Sequence, residues 1–79
     1  MWTLYTSQDC PLCRVLHEHL ARAKASYIEH DVGTAEGLAA YSFECAGQTE
    51  LPLVIDETGA RHAGREAVAF ASRQLGGDS

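Results

Sequence analysis

The residues in this 79-residue chain that could do chemistry are three cysteines, four histidines and eleven carboxylates. One arrangement among them has a mechanical consequence: Cys10-Pro11-Leu12-Cys13. Two cysteines three apart on the first turn of a helix can bring their sulfurs together, close a small disulfide ring and reopen it. Pro11 suits a helix start, because its missing N–H would be unsatisfied there and its φ is already helical. The helix N-terminus carries about half a positive charge, which favours a thiolate. These arguments assign Cys10 as the exposed nucleophile and Cys13, one turn in, as the shielded thiol that resolves a mixed disulfide.

The other candidates are weaker. Cys10, Cys13 and His17 could supply three zinc ligands, but no fourth ligand or second clustered pair is spaced for a structural site, so no metal site is assigned. His17 and His19 are two residues apart, cannot share a helix face, and read as surface histidines. His30 reads as a partly exposed strand residue, and His62 as a residue within reach of substrate or simply packed. Asp9 opposes the dipole beside Cys10 unless it caps the helix through backbone N–H groups, which is the reading adopted. Cys45 falls on an apolar stripe and reads as buried and inert. Tyr5 either flanks the site from the end of its strand or packs half-buried.

Positioning the motif requires particular elements. Trp2–Thr6 reads as a strand, with Trp2 and Leu4 on one face and Thr3 and Tyr5 on the other. Ser7-Gln8-Asp9 is a polar turn, and Asp9 or Cys10 is the helix cap. From Pro11 to about Ala25, Leu12, Val15, Leu16, Leu20 and Ala23 form a helical stripe. Tyr27–Val32 alternates as a second strand, and one intervening helix makes the two strands parallel. Gly33-Thr34 starts a second helix with Leu38, Tyr41 and Cys45 as its buried stripe and Gly47 as its end. Pro52 sits at the mouth of a strand running to Ile55. Asp56–Gly59 is a hairpin turn, Ala60–His62 the returning strand, and Arg65–Leu75 a third helix carrying Ala67, Val68, Phe70, Ala71 and Leu75. Gly76–Ser79 reads as a frayed tail. The order β-α-β-α-β-β-α makes an α/β domain spanning residues 1–79.

Composition narrows the function. A chain this short buries only about 60–65% of its unfolded surface, so its stability is modest. Three cysteines are too few for a secreted disulfide scaffold, and in a reducing compartment such a pair is catalytic or metal-binding rather than structural. The N-terminus lacks the basic region and the cleavage site of a signal peptide, and no apolar run is long enough to span a bilayer, so the expected location is the cytoplasm, away from membranes. A net charge of −5, from six basic and eleven acidic side chains, argues against nucleic acid as a partner.

Leu4-Tyr5-Thr6, Cys10-Pro11-Leu12-Cys13 and the Leu51-Pro52 step after the second helix together resemble the glutaredoxin family within the thioredoxin fold. The resemblance covers nearly the whole chain in length and element order, and its one specific motif is Cys-Pro-x-Cys. It implies a four-stranded mixed sheet with three flanking helices. It also implies that the Leu51–Pro52 bond is cis, that Pro52 faces the cysteines, and that the Leu51 backbone pairs with bound substrate like a strand. Several positions depart from the family's glutathione-binding pattern. Ser7 stands where a lysine is usual, Glu50-Leu51-Pro52 replaces Thr-Val-Pro, and Ala63-Gly64-Arg65-Glu66 replaces a Gly-Gly-acidic loop. These departures weigh against glutathione and leave disulfide chemistry untouched. They bring the chain nearer to small glutaredoxin-like redoxins that take electrons from thioredoxin reductase and pass them to protein disulfides.

The reading is therefore a dithiol–disulfide oxidoreductase with Cys10 and Cys13 catalytic. Pro11, Leu12, Leu51, Pro52, Gly64 and Arg65 are the candidate substrate contacts, with Arg65 suited to a carboxylate. No bound cofactor is expected. The substrate is a disulfide-containing protein or a glutathione-mixed disulfide, the electron source is glutathione or thioredoxin reductase, and the protein is a monomer. Two other classes stay open: a metal or iron–sulfur-handling module using the same cysteines, and a catalytically idle partner-binding domain. Family members that hold an iron–sulfur cluster have a single active-site cysteine, whereas this chain has both.

Overall fold

The computed structural model describes residues 1–45, 47 and 50–75. The elements in chain order are β1 (Trp2–Thr6), α1 (Pro11–Ala23), β2 (Tyr27–Asp31), α2 (Ala35–Glu44), β3 (Leu53–Ile55), β4 (Arg61–Ala63) and α3 (Arg65–Gln74). The strands form one sheet in the order β2-β1-β3-β4. β1 and β2 run parallel, with Leu4 opposite Glu29 and Thr6 opposite Asp31. β3 is antiparallel to both β1 and β4, with Val54 opposite Leu4 on one side and His62 on the other. The element order and the parallel pair are as the sequence implies, and individual boundaries shift by one or two residues.

Alternation along β1 divides the molecule into two layers. Trp2 and Leu4 turn to one face, where Leu16 and Leu20 of α1, Val54 of β3, and Ala67 and Ala71 of α3 close the core around them. The alanines are small enough for α1 and α3 to pack over the same strands. Tyr5 turns to the other face, stacked on His30 at 4.9 Å and edge-on to Tyr41 of α2 at 5.8 Å. Tyr5 is thus a packing residue. Burial first, and the Glu44 carboxylate second, push its phenol up, with Arg61 opposing them.

Helix α1 ends without a glycine because Lys24 takes the left-handed conformation at φ 54°, its N–H returning to the carbonyls of Ala21 and Leu20. Two residues of the expected α1 stripe are exposed: Val15, at 38%, and Ala23. Both lie off the narrow line of Cys13, Leu16 and Leu20 that meets the sheet.

The expected stripe of α2 is corrected more strongly. Leu38 is 52% exposed, and Tyr41 and Cys45 are half-buried, with Cys45 as the helix C-cap. The residue α2 buries is Gly37. The helix start comes so close to the end of β2 that a Cβ at Gly37 would overlap the Asp31 carbonyl oxygen. A backbone-to-backbone approach replaces a side-chain stripe, and the apolar residues beyond it are left facing outward. The helix is anchored at both ends. Thr34 accepts the Gly37 N–H at 2.9 Å, and Arg61 of β4 donates to the Glu44 carbonyl at 2.5 Å. Helix α2 ends at Glu44, before Gly47, and the Gly76–Ser79 tail lies outside the described residues.

The β3–β4 turn is tied by Asp56. Its carboxylate accepts the Thr58 hydroxyl at 2.6 Å, the Thr58 and Ala60 N–H groups, and His62 at 3.0 Å. The His62 ring stacks on Phe70 with centroids 3.7 Å apart, and Phe70 reaches Trp2 at 5.1 Å. The Thr58 hydroxyl first, and His62 second, hold the Asp56 carboxyl far below the usual carboxylate range. A carboxyl whose folded pKa is depressed contributes its full stability above the unfolded value, about 4, and loses it as pH falls below that. Asp56→Asn is expected to lower Tm by several degrees at pH 7. The gap to the parent protein should close as the pH of the melts is taken from 5 towards 2. A gap independent of pH would show that the Asp56 charge is not what holds the turn.

Candidate active site

The site begins where β1 hands the chain to α1. Cys10 is the N-cap, extended at φ −116° and ψ 106°, and Pro11 is the first helical residue. The Cys13 N–H donates to Cys10 Sγ at 3.1 Å, so sulfur fills the role that a serine or aspartate oxygen usually takes. Asp9 is therefore not the cap: the chain turns one residue later, and Asp9 is exposed at the surface. The two cysteine Cα atoms are 5.1 Å apart and the sulfurs are within bonding reach, so a disulfide fits this backbone as it stands. Cys10 is half-exposed, whereas Cys13 is 1% exposed beneath it.

The cysteines sit beside an open groove of about 640 Å³ lined by Leu12, Glu50, Leu51, Ala63, Gly64, Arg65 and Glu66. Four predicted substrate contacts, Leu12, Leu51, Gly64 and Arg65, thus come together on one surface. Leu12 is half-buried. The Leu51–Pro52 peptide bond is cis, and Pro52 lies buried beneath the groove rather than lining it. The Gly64 N–H donates to the Pro52 carbonyl at 2.9 Å, tying the start of α3 to this segment. Pro11 is exposed on the far side of Cys10, in a shallow hollow with Gln8, Asp9 and Arg14. His62 is engaged with Asp56 and Phe70 and does not line the groove.

Two features escaped the sequence reading. His17 is not a bare surface residue, because its Nε2 lies 2.6 Å from Glu29 Oε2, which also accepts the buried Thr6 hydroxyl at 2.5 Å. This network pins α1 to the end of β1 and the middle of β2, one turn beyond Cys13. The parallel register, which puts Glu29 opposite Leu4, was the signal available for it. The second is Glu50, visible in sequence only as a departure from Thr-Val-Pro, which lines the groove as a carboxylate. Among the described residues, no three histidines, cysteines or carboxylates cluster as metal ligands, and His17 faces Glu29 instead of joining the cysteines.

No protein-family model matches the chain, and no curated protein matches it in sequence. Solved structures do. The thioredoxin-like protein BC3987 superposes with a TM-score of 0.74 and 25% identity, covering 95% of this chain and 99% of its own. The fold is thioredoxin-like. The glutaredoxin-like NrdH-redoxin from Escherichia coli superposes with a TM-score of 0.72 and 22% identity, covering 91% of each chain. A protein from X. campestris, XcR50, superposes at a TM-score of 0.58 with 24% identity over 92% of this chain and 97% of its own. Thioredoxin-like and glutaredoxin-like neighbours, together with a Cys-x-x-Cys pair at disulfide reach, support a redox role of the oxidoreductase class. No described helix is long and apolar enough to cross a membrane.

The contrast between the two thiols is open to test. In fully reduced protein treated briefly with iodoacetamide at pH 7, peptide mapping is expected to find Cys10 modified about tenfold faster than Cys13. Cys13 alkylated first, or at an equal rate, would contradict the assignment of Cys10 as the accessible thiolate.

Proposed function

We propose that the protein is a dithiol–disulfide oxidoreductase that reduces disulfides in proteins or small mixed disulfides. The observation that carries this reading is the pairing of a half-exposed sulfur, which accepts a backbone N–H at a helix start, with a buried partner thiol one turn away. Cys10 thiolate attacks one sulfur of the substrate disulfide. A Cys10–substrate disulfide forms, and the substrate's other sulfur leaves as a thiolate that takes up a proton. Cys13 then gives up its proton and attacks Cys10 Sγ. The Cys10–Cys13 bond closes, the second substrate thiol is released, and two electrons have passed from the dithiol to the substrate. Cys13 is already positioned for this, so the second step costs little conformational entropy.

The substrate chain lies in the groove between Leu12 and Leu51, with Pro52 beneath it and Gly64 and Arg65 at its far wall. Ser7, Glu50 and Arg65 in place of the glutathione-type residues favour a flavin-dependent thioredoxin reductase as electron source. The NrdH-redoxin from Escherichia coli, a glutaredoxin-like protein with a thioredoxin-like activity profile, agrees with that choice. The protein works as a monomer in a reducing compartment, the cytoplasm, with no bound cofactor.

A coupled assay on a small mixed disulfide, monitored by NADPH oxidation, tests this reading. One arm contains thioredoxin reductase, the other glutathione with glutathione reductase, and Cys10→Ser is the control in each. Turnover is expected with thioredoxin reductase and lost by at least about a thousandfold in Cys10→Ser. Turnover only with glutathione would overturn the choice of donor, and turnover in neither arm would overturn the function.

A further inference from the structure

The groove beside the cysteines contains a charge that its backbone geometry singles out. Gly64, the N-cap of α3, has φ 62° and ψ −134°, a conformation that side chains other than hydrogen rarely tolerate, and α3 has no side-chain cap. A Cβ at Gly64 would overlap the Glu50 carboxylate. The Glu50 side chain therefore lies in the notch left by the missing Cβ, with its carboxylate over the start of α3. That is where a helix offers partial positive charge and where an anionic end of a ligand would otherwise settle. The chain has filled the place with its own anion.

The other charged residues lining the groove are Glu66 and Arg65. Glu66 is in an ion pair with Arg73 at 3.4 Å. Among the described residues, no ion pair joins Glu50 to a cation, and Arg65 is likewise unpaired. Arg65 is exposed on the wall of the same groove, as the first residue of α3, where the helix end repels its cation. Glu50, by contrast, adjoins Leu51 and the groove floor, next to where a bound chain must pass.

We infer that Glu50 sets the specificity of the groove. It turns away substrates with a carboxylate beside the disulfide and draws in protein disulfides flanked by lysine or arginine. This rests on the oxidoreductase reading and names the substrate class for it. An incoming ammonium or guanidinium pairs with the exposed Glu50 carboxylate from the groove side, whereas an incoming carboxylate meets both a like charge and an occupied helix end.

The test uses two quenched cystine peptides of identical length, one with lysines beside the disulfide and one with glutamates. Dithiothreitol serves as reductant, so the result does not depend on the biological donor. The parent protein is expected to favour the lysine peptide by about fivefold in kcat/KM, the upper range for an exposed charge at a helix end. In Glu50→Gln the ratio falls towards one, and raising the salt concentration narrows it in the parent. Glu36→Gln, which removes a carboxylate at the start of α2, leaves the ratio unchanged. An equal ratio in the parent and Glu50→Gln, with both peptides turned over, would overturn this inference alone. No turnover of either peptide would overturn the oxidoreductase reading, and this inference with it.

Discussion

The hydrogen bond from the Cys13 N–H to Cys10 Sγ is the contact on which the site depends. A helix start needs acceptors for its first N–H groups, and here one acceptor is the sulfur proposed to react. Capping and the proposed reactivity thus fall on one sulfur. The geometry follows from its neighbours. β1 ends at Thr6, a short turn brings the chain to Cys10, and Pro11 fixes the first helical φ. The buried line of Cys13, Leu16 and Leu20 then holds the helix on the sheet, so the second thiol is covered while the first stays accessible.

The rest of the molecule serves that junction from two sides. The core between β1, β3, α1 and α3 keeps the helix seated, and the Thr6–Glu29–His17 network ties it to the parallel strand pair. Across the groove, the Gly64 N–H bonded to the Pro52 carbonyl fixes the opposite wall. Two segments about forty residues apart in sequence are thus presented to each other across the space a substrate chain would cross. The hairpin that carries the far wall is stabilised locally by Asp56 and by the His62–Phe70–Trp2 ring series, away from the reacting atoms.

Much of this was legible in the sequence because local pattern and global fold agree. The alternation in β1, the cysteine spacing and Pro11 all pointed to one strand-to-helix turn, and a single helix between two strands left a parallel pair as the ready topology. What was not legible depended on tertiary approach. Apolar spacing suggested Leu38 as a core residue of α2, but the contact between helix and strand is made through the backbone at Gly37, which carries no hydrophobic signal. The Lys24 cap was hidden because a lysine rarely takes the left-handed conformation. His17 was legible only as a helix residue, since its partner lies on another element. Glu50 showed in the sequence as a replaced residue, and only the notch at Gly64 gives that replacement a physical meaning.

In the proposed reaction Cys10 attacks and Cys13 resolves. Trapping measures it most directly: Cys10→Ser and Cys13→Ser proteins are incubated with a small aromatic disulfide, and the adducts are located by mass spectrometry. A persistent mixed disulfide is expected on Cys10 in Cys13→Ser, and no comparable adduct on Cys13 in Cys10→Ser, where that thiol is buried. Equal trapping at Cys13 would contradict the division of roles. Trapping confined to Cys45 would contradict the site itself.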